Sequence, residues 1–182
     1  MEIGSGEGDL TQYILEHNPS LAIDILDVSP EMIERSKEAL ARYKDRVTFI
    51  CDDALAYLKR TDATYDAIAS AWVIHNFTWD EKHRIFRKIH SCLSPQGALL
   101  LMDKVYPGNV KSRWEMAEHQ FRRYRYLDEP LRTEILDHEA QDASDSYRMD
   151  EKATLKALAD AGFSQMHLID RVERDVLIAA EK

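Results

Sequence analysis

The chain has 182 residues, and its 24 lysines and arginines against 33 aspartates and glutamates give a formal charge of −9. No chain-wide positive field is therefore available to hold a phosphate backbone, and nucleic acid is not an expected partner. Cys51 and Cys92 are too few for a disulfide framework and show no paired metal-ligand spacing, and no apolar run approaches the ~20 residues of a membrane span. With no signal segment either, the chain reads as one cytoplasmic domain over residues 1–182, without membrane contact or a metal site, and a homodimer is left open.

In chain order, β-branched apolar runs alternate with helix-period segments over the first hundred residues, the pattern of strand–helix units in a parallel α/β sheet. Strands are expected over Met1 to Ile3, Ala22 to Val28, Val47 to Cys51, Asp66 to Trp72 and Ala98 to Lys104. Ser29 as cap, Pro30 at the first helical position and Glu31 in the first turn predict a helix after the second strand. The T-x-x-E pattern of Thr78 and Glu81 predicts another, with Ile85, Phe86, Ile89 and Leu93 as its buried stripe and Pro95 and Gly97 as its stop. From Val110 to about Gly162 the pattern is helical without strands, and Trp114, Phe121 and Tyr124 are expected on one buried stripe. Met166 to Ile169 and Val176 to Ala180 then suit an antiparallel hairpin. Residues 110–150 are best taken as a helical insertion capping the sheet edge over the substrate.

The opening "MEIGSGEGDL" places Gly4, Gly6 and Gly8 between a strand and a helix. Such a loop, with the following helix N-terminus, sits at the carboxyl edge of an open α/β sheet, where ligands bind. The dinucleotide fingerprint wants G-x-G-x-x-G, but Asp9 holds the third glycine's place and the spacing is G-x-G-x-G. Glu7 and Asp9 would also repel a pyrophosphate, so a cationic or zwitterionic adenosine ligand fits better than a dinucleotide. Asp27 ends the second strand, placed to accept from both ribose hydroxyls. Asp53 ends the third, placed to accept from an adenine amine, with the Ala54 N–H beside it. Asp52 is expected to be a solvated turn residue.

In this order and spacing, "MEIGSGEG", "IDILDVSPEM", "VTFICDDAL", "YDAIASAWVIHNF" and "LSPQGALLLMDKV", with "LADAGF" before the hairpin, resemble the class I S-adenosylmethionine-dependent methyltransferases over nearly the whole chain. The resemblance implies a Rossmann-like, doubly wound sheet of seven strands, mostly parallel, with a C-terminal antiparallel hairpin. It implies S-adenosylmethionine as cofactor and methyl transfer to a small-molecule acceptor. It carries the methionine end to Glu2, Gly4, Ser5, Gly6 and Gly8, the ribose to Asp27, adenosine packing to Val28 and Met32, and adenine to Asp53 and Ala54. Ser70, Ala71 and Trp72 would line the fourth-strand edge. Family members normally carry a helical segment before the first strand that helps close the pocket. The chain begins inside that strand, so closure is expected to need such a segment.

His75, just past the fourth strand, is the candidate to orient or deprotonate the acceptor, with Tyr106 behind it; a hydrogen-bonded structural role is the alternative for such a histidine. The arginines of "HQFRRYRYL" more simply pair with nearby acids than form a nucleic-acid surface. A pocket bounded by His75 and at least one of Trp114, Phe121, Tyr124 and Tyr126 is expected under the 110–150 helices. "ASAWVIHNFT" is also similar to carboxy-S-adenosylmethionine synthases, which modify the cofactor and transfer no methyl group, and a non-catalytic binding module is the other alternative.

Overall fold

The computed structural model describes residues 1–182, with the side chains at 110, 112, 113 and 116 outside the description. The first half alternates strictly: β1 (Glu2–Ile3), α1 (Asp9–His17), β2 (Ile23–Asp27), α2 (Pro30–Ala39), β3 (Val47–Cys51), α3 (Ala54–Arg60), β4 (Tyr65–Ala71), α4 (Trp79–Cys92) and β5 (Leu93–Tyr106). Then come α5 (Val110–Tyr124), α6 (Leu131–Asp142), β6 (Met149–Asp150), α7 (Glu151–Ala161), β7 (Gln165–Val172) and β8 (Asp175–Glu181).

The strands order as β3-β2-β1-β4-β5-β8-β7. Every pair from β3 to β5 is parallel, and β8 runs antiparallel to both β5 and β7. This is the expected seven-stranded α/β sheet, with one addition. The stretch before α7 was expected to hold no strand, but β6 pairs parallel with Val105 and Tyr106. Met149 anchors it there, because its side chain is buried in the main core. The chain order reverses between β1 and β4, and the resulting switch point opens a crevice at the strands' carboxyl ends.

Local chemistry accounts for the helix starts. The Ser29 hydroxyl accepts from Met32 N at 3.3 Å and Pro30 opens α2. Thr78 N donates to Glu81 Oε2 at 2.9 Å, so the capping box of α4 forms. Ile85, Phe86 and Ile89 of α4 are wholly buried against Ile68, Leu99, Leu101 and Ile178 of the sheet. A smaller core of Leu15, Ile23, Ile25, Leu40 and Val47 fills the opposite face.

Two expectations fail for identifiable reasons. β5 starts at Leu93, five residues before the expected Ala98, because Leu93 pairs with Tyr65 across a register shift, and Pro95 and Gly97 fall within that interruption of the ladder. On α5, Trp114 and Phe121 are 73% and 62% exposed rather than buried. The helical period is present there, but α5 leans on α6 rather than on the sheet. Of these three aromatics Tyr124 is the one half-buried, its hydroxyl 3.4 Å from Glu139 Oε1.

Candidate active site

The three loop glycines all take positive φ, +75° at Gly4, +52° at Gly6 and +92° at Gly8, a region costly for other residues. They serve different purposes. A Cβ on Gly4 would stand 2.0 Å from Val73 Cγ2, whereas one on Gly6 would meet nothing within 4 Å. Gly4 therefore admits the neighbouring loop, and Gly6 faces open space. Gly8 caps α1, and its place is fixed from behind by Leu40, 3.0 Å from where a Cβ would stand.

Asp27 joins the two halves of this edge. Its Oδ2 accepts from Gly6 N and its Oδ1 from Ser29 N, each at 2.9 Å. One carboxylate thus sets the glycine loop and the start of α2 together, and each oxygen keeps a further lone pair. At the end of β3, Asp53 caps α3 by accepting from Ala56 N at 2.8 Å, and Asp52 Oδ1 accepts from Asp53 N at 2.8 Å while its carboxylate pairs with Arg60. Asp52 is therefore a built part of the edge, not the solvated turn residue its sequence suggests.

These ends enclose a cleft of about 470 Å³, and Gly4, Gly6, Asp27, Val28, Asp52, Asp53, Ala54, Ala71 and Trp72 line it together with Val73, Asn76 and Phe77. Val28 and Trp72 are 70% and 49% exposed, apolar surface held at its walls. Trp72 also carries a φ of +54°, a strained value for a tryptophan, while its Nε1 donates to Asp175 Oδ1 at 3.2 Å. Asn76 and Phe77 carry no sequence signal of their own. A wider surface groove of about 530 Å³ between α3 and α4 is bordered by Lys59, Arg84, Arg87 and Lys88, and shares no lining residue with the cleft.

The other sequence-predicted residues lie around the cleft rather than on its wall. Glu2 is buried beneath the loop and accepts from the Thr11 hydroxyl. Burial pushes its carboxyl up to about 7, against the opposing pull of the Thr11 hydrogen bond. Ser5 and Ser70 are buried with hydroxyl oxygens lacking hydrogen-bond partners. Gly8 sits at the head of α1 and Met32 on the first turn of α2.

His75 lies behind the cleft wall, 4% exposed, in a short 3₁₀ turn over Ile74–Asn76. Its Nδ1 is 2.6 Å from Asp103 Oδ1, and its backbone N donates to Asp103 Oδ2 at 3.2 Å. The turn is fixed from below by Lys82, whose ammonium donates to the carbonyls of His75 at 3.2 Å, Tyr147 at 2.9 Å and Phe77. Burial lowers the Lys82 pKa to about 8.

Toward the cap, Lys104 Nζ contacts Asp142 Oδ2 at 2.5 Å and Glu139 Oε1 at 3.3 Å, and Arg174 pairs with Glu139. Tyr106 lines the cap-side cavity and not the cleft; its hydroxyl oxygen accepts from Arg174 Nη1 at 2.9 Å, and burial raises its pKa. A separate cavity of about 270 Å³ between α5 and α6 is lined by Phe121, Tyr124, Leu136 and Glu139 among others. The single pocket expected between His75 and the cap aromatics is thus two spaces, with His75 lining neither.

An open α/β sheet with a glycine loop, acids on consecutive strand ends and one cleft across the switch point is the architecture of a class I methyltransferase domain. The methyltransferase-domain family model matches residues 1–99, more than half of the chain, and the chain belongs to that family. It is 35% identical over 100 residues to malonyl-[acyl-carrier protein] O-methyltransferase 1 of Ilyobacter polytropus, a match covering 54% of this chain and 35% of that protein. The corresponding enzyme of Priestia megaterium is 36% identical over 101 residues, covering 55% and 34%. The chain spans about a third of the length of these curated relatives. Among solved structures, PigF with SAH superposes with a TM-score of 0.71 at 20% identity, and a putative O-methyltransferase from Nostoc punctiforme with 0.73 at 18%; each match covers all of this chain and about half of the other (49% and 50%). These likenesses carry the fold.

Proposed function

We propose that the cleft binds S-adenosylmethionine and that the chain directs its methyl group to a small-molecule acceptor. The observation carrying this reading is the Asp27 carboxylate, which ties the Gly6 N–H to the end of β2 and so holds the glycine loop and the ribose-binding edge as one unit. The cleft's size suits a nucleoside-sized ligand, since such sites span roughly 300–1,000 Å³, and the open space above Gly6 leaves room for backbone contact.

In this reading Asp27 takes the ribose hydroxyls, Asp53 and the Ala54 N–H take adenine, Val28, Met32 and Trp72 pack on the adenosine, and Ala71 closes the β4 edge. Gly4, Gly6 and Gly8 shape the loop for the methionine end, with Glu2, Ser5 and Ser70 supporting it from beneath. When bound, the cofactor supplies a methyl group already activated by its sulfonium. The chain's task is then positioning and exclusion of water, which can supply roughly 7–11 kcal/mol of a barrier. Asp103 engages His75 Nδ1, which turns Nε2 to the cap side, and in this reading Nε2 holds or takes a proton from the acceptor only once the cap has moved to admit it. Residues 110–150 form that cap.

The malonyl-[acyl-carrier protein] relatives act on a tethered acyl group by name, whereas the net charge of −9 here and the aromatic cavity under α5 and α6 support a free small molecule. No helix of the described residues is long and apolar enough to cross a membrane. A cytoplasmic setting is part of the same reading and rests on two cysteines left unpaired. Thermal denaturation tests the cofactor assignment. S-adenosylmethionine and S-adenosylhomocysteine should each raise the melting temperature while NAD does not, and equal stabilisation by NAD would overturn it.

A further inference from the structure

Three donor atoms from distant parts of the chain converge between the β4–α4 turn and the cap. One ring nitrogen each of His75 and His138 and a carboxylate oxygen of Asp142 all lie within 4.8 Å of one another. Asp142 Oδ2 stands 3.9 Å from His75 Nε2 and 3.7 Å from His138 Nε2. The side chains of His75 and Asp142 are 5% and 1% exposed, so this is no surface cluster.

Not every electron pair of this group has a partner. Asp103, itself 0% exposed, engages His75 Nδ1 at 2.6 Å, so in a neutral imidazole the proton sits on Nδ1 and Nε2 is the ligating nitrogen on the Asp142 side. Asp142 Oδ1 is buried and without a hydrogen-bond partner. Lys104 satisfies only Oδ2 and is shared with Glu139. A buried carboxylate oxygen without a partner is costly, and a cation shared by the carboxylate and the two imidazoles would relieve it.

We propose that His75, His138 and Asp142 form a binding site for a divalent first-row transition-metal ion of the zinc type. Two imidazole nitrogens and one carboxylate oxygen, with a fourth position open, is the donor set of catalytic rather than structural zinc sites, and its nitrogens disfavour Mg²⁺ and Ca²⁺. Metal–ligand bonds of about 2.0–2.2 Å require donors closer together than they stand here. His138, 48% exposed and edge-on to the His75 ring, can approach the other two donors by a small side-chain movement, and a shift of a few tenths of an ångström between His75 and Asp142 completes the set. Asp103 is the carboxylate that fixes His75 from behind, as such ligands require. The Asp142 oxygen nearest both imidazoles is Oδ2, which Lys104 also holds, so ligation requires the carboxylate to share its two oxygens between the ion and Lys104. A loaded His75 would be a ligand instead of a base, and the open position could then take an oxygen of the acceptor.

Ion binding here is independent of methyl transfer, so its test uses no cofactor. The full chain, stripped with EDTA, is titrated with Zn²⁺ against a chromogenic chelator and with Co²⁺ by visible absorption, with S-adenosylhomocysteine binding measured in parallel. One ion per chain is expected, weakened at least tenfold by His138→Ala and by Asp142→Asn and unchanged by His17→Ala on exposed α1. His138→Ala is the decisive variant because its half-exposed side chain can be removed without opening the core, and its melting curve verifies the fold. Absence of stoichiometric binding, or binding unchanged in both variants, would overturn the site whether or not S-adenosylhomocysteine binds.

Discussion

Removing the Asp27 carboxylate should separate the cofactor site from the fold that carries it. In Asp27→Ala, Gly6 N and Ser29 N each lose an acceptor at 2.9 Å. Hydrogen bonds to a charged group contribute about 1.5–3 kcal/mol each, but both donors lie at the cleft edge where water can replace part of the loss. A stability cost of about 1–3 kcal/mol follows, well short of unfolding a domain of this size. The affinity cost is counted separately. A ribose that loses its charged acceptor should bind about 1–3 kcal/mol more weakly, or roughly 5- to 150-fold. Calorimetric titration with S-adenosylhomocysteine reads the affinity, and urea denaturation of the same preparation reads the fold. A folded Asp27→Ala protein binding within twofold of the parent would refute the assignment of Asp27 to the ribose.

Gly4→Ala should destabilise more than Gly6→Ala in urea denaturation. Both carry the left-handed penalty of roughly 1–2 kcal/mol, but only the former drives a Cβ to 2.0 Å from Val73 Cγ2; adding Val73→Ala should recover part of the Gly4→Ala loss, and equal costs would show that the loop yields freely. Glu2 predicts a pH dependence of defined sign. Its carboxyl is raised in the folded state from 4.5 to about 7, so the native state binds the extra proton and stability falls as pH rises through that interval, by on the order of 3 kcal/mol. Denaturation of Glu2→Gln alongside the parent should show a stability difference that shifts in the variant's favour between pH 5 and 8, and a constant difference would contradict the buried-acid reading.

How far the sequence reveals this depends on the range of the interaction. Ser29, Pro30, Thr78 and Glu81 announce their helices because caps act within three or four residues. Asp27 and Asp53 can be placed on one edge because consecutive parallel strands leave their carboxyl ends on the same side. The early start of β5 was hidden behind Pro95 and Gly97, since only the pairing of Leu93 with Tyr65 makes that segment a strand. The exposed positions of Trp114 and Phe121 were hidden for a related reason: periodicity marks an apolar face but not whether anything covers it. The polar cluster was the least legible. His75 meets Asp103 across 28 residues and Lys104 meets Asp142 across 38, and Asp142 and His138 show no motif among the many acids of α6.

The central claim is methyl transfer from S-adenosylmethionine to a small molecule, and it is tested most directly by following a labelled methyl group. The chain is incubated with methyl-labelled S-adenosylmethionine and a metabolite extract freed of macromolecules, with the macromolecular fraction assayed separately, alone and with an upstream helical segment of a relative supplied. Label is expected in a small organic product, in proportion to S-adenosylhomocysteine formed and reduced by Asp27→Ala at cofactor concentrations below saturation. Label only in protein or RNA, or a cofactor altered in mass with no methyl group transferred, would contradict the account.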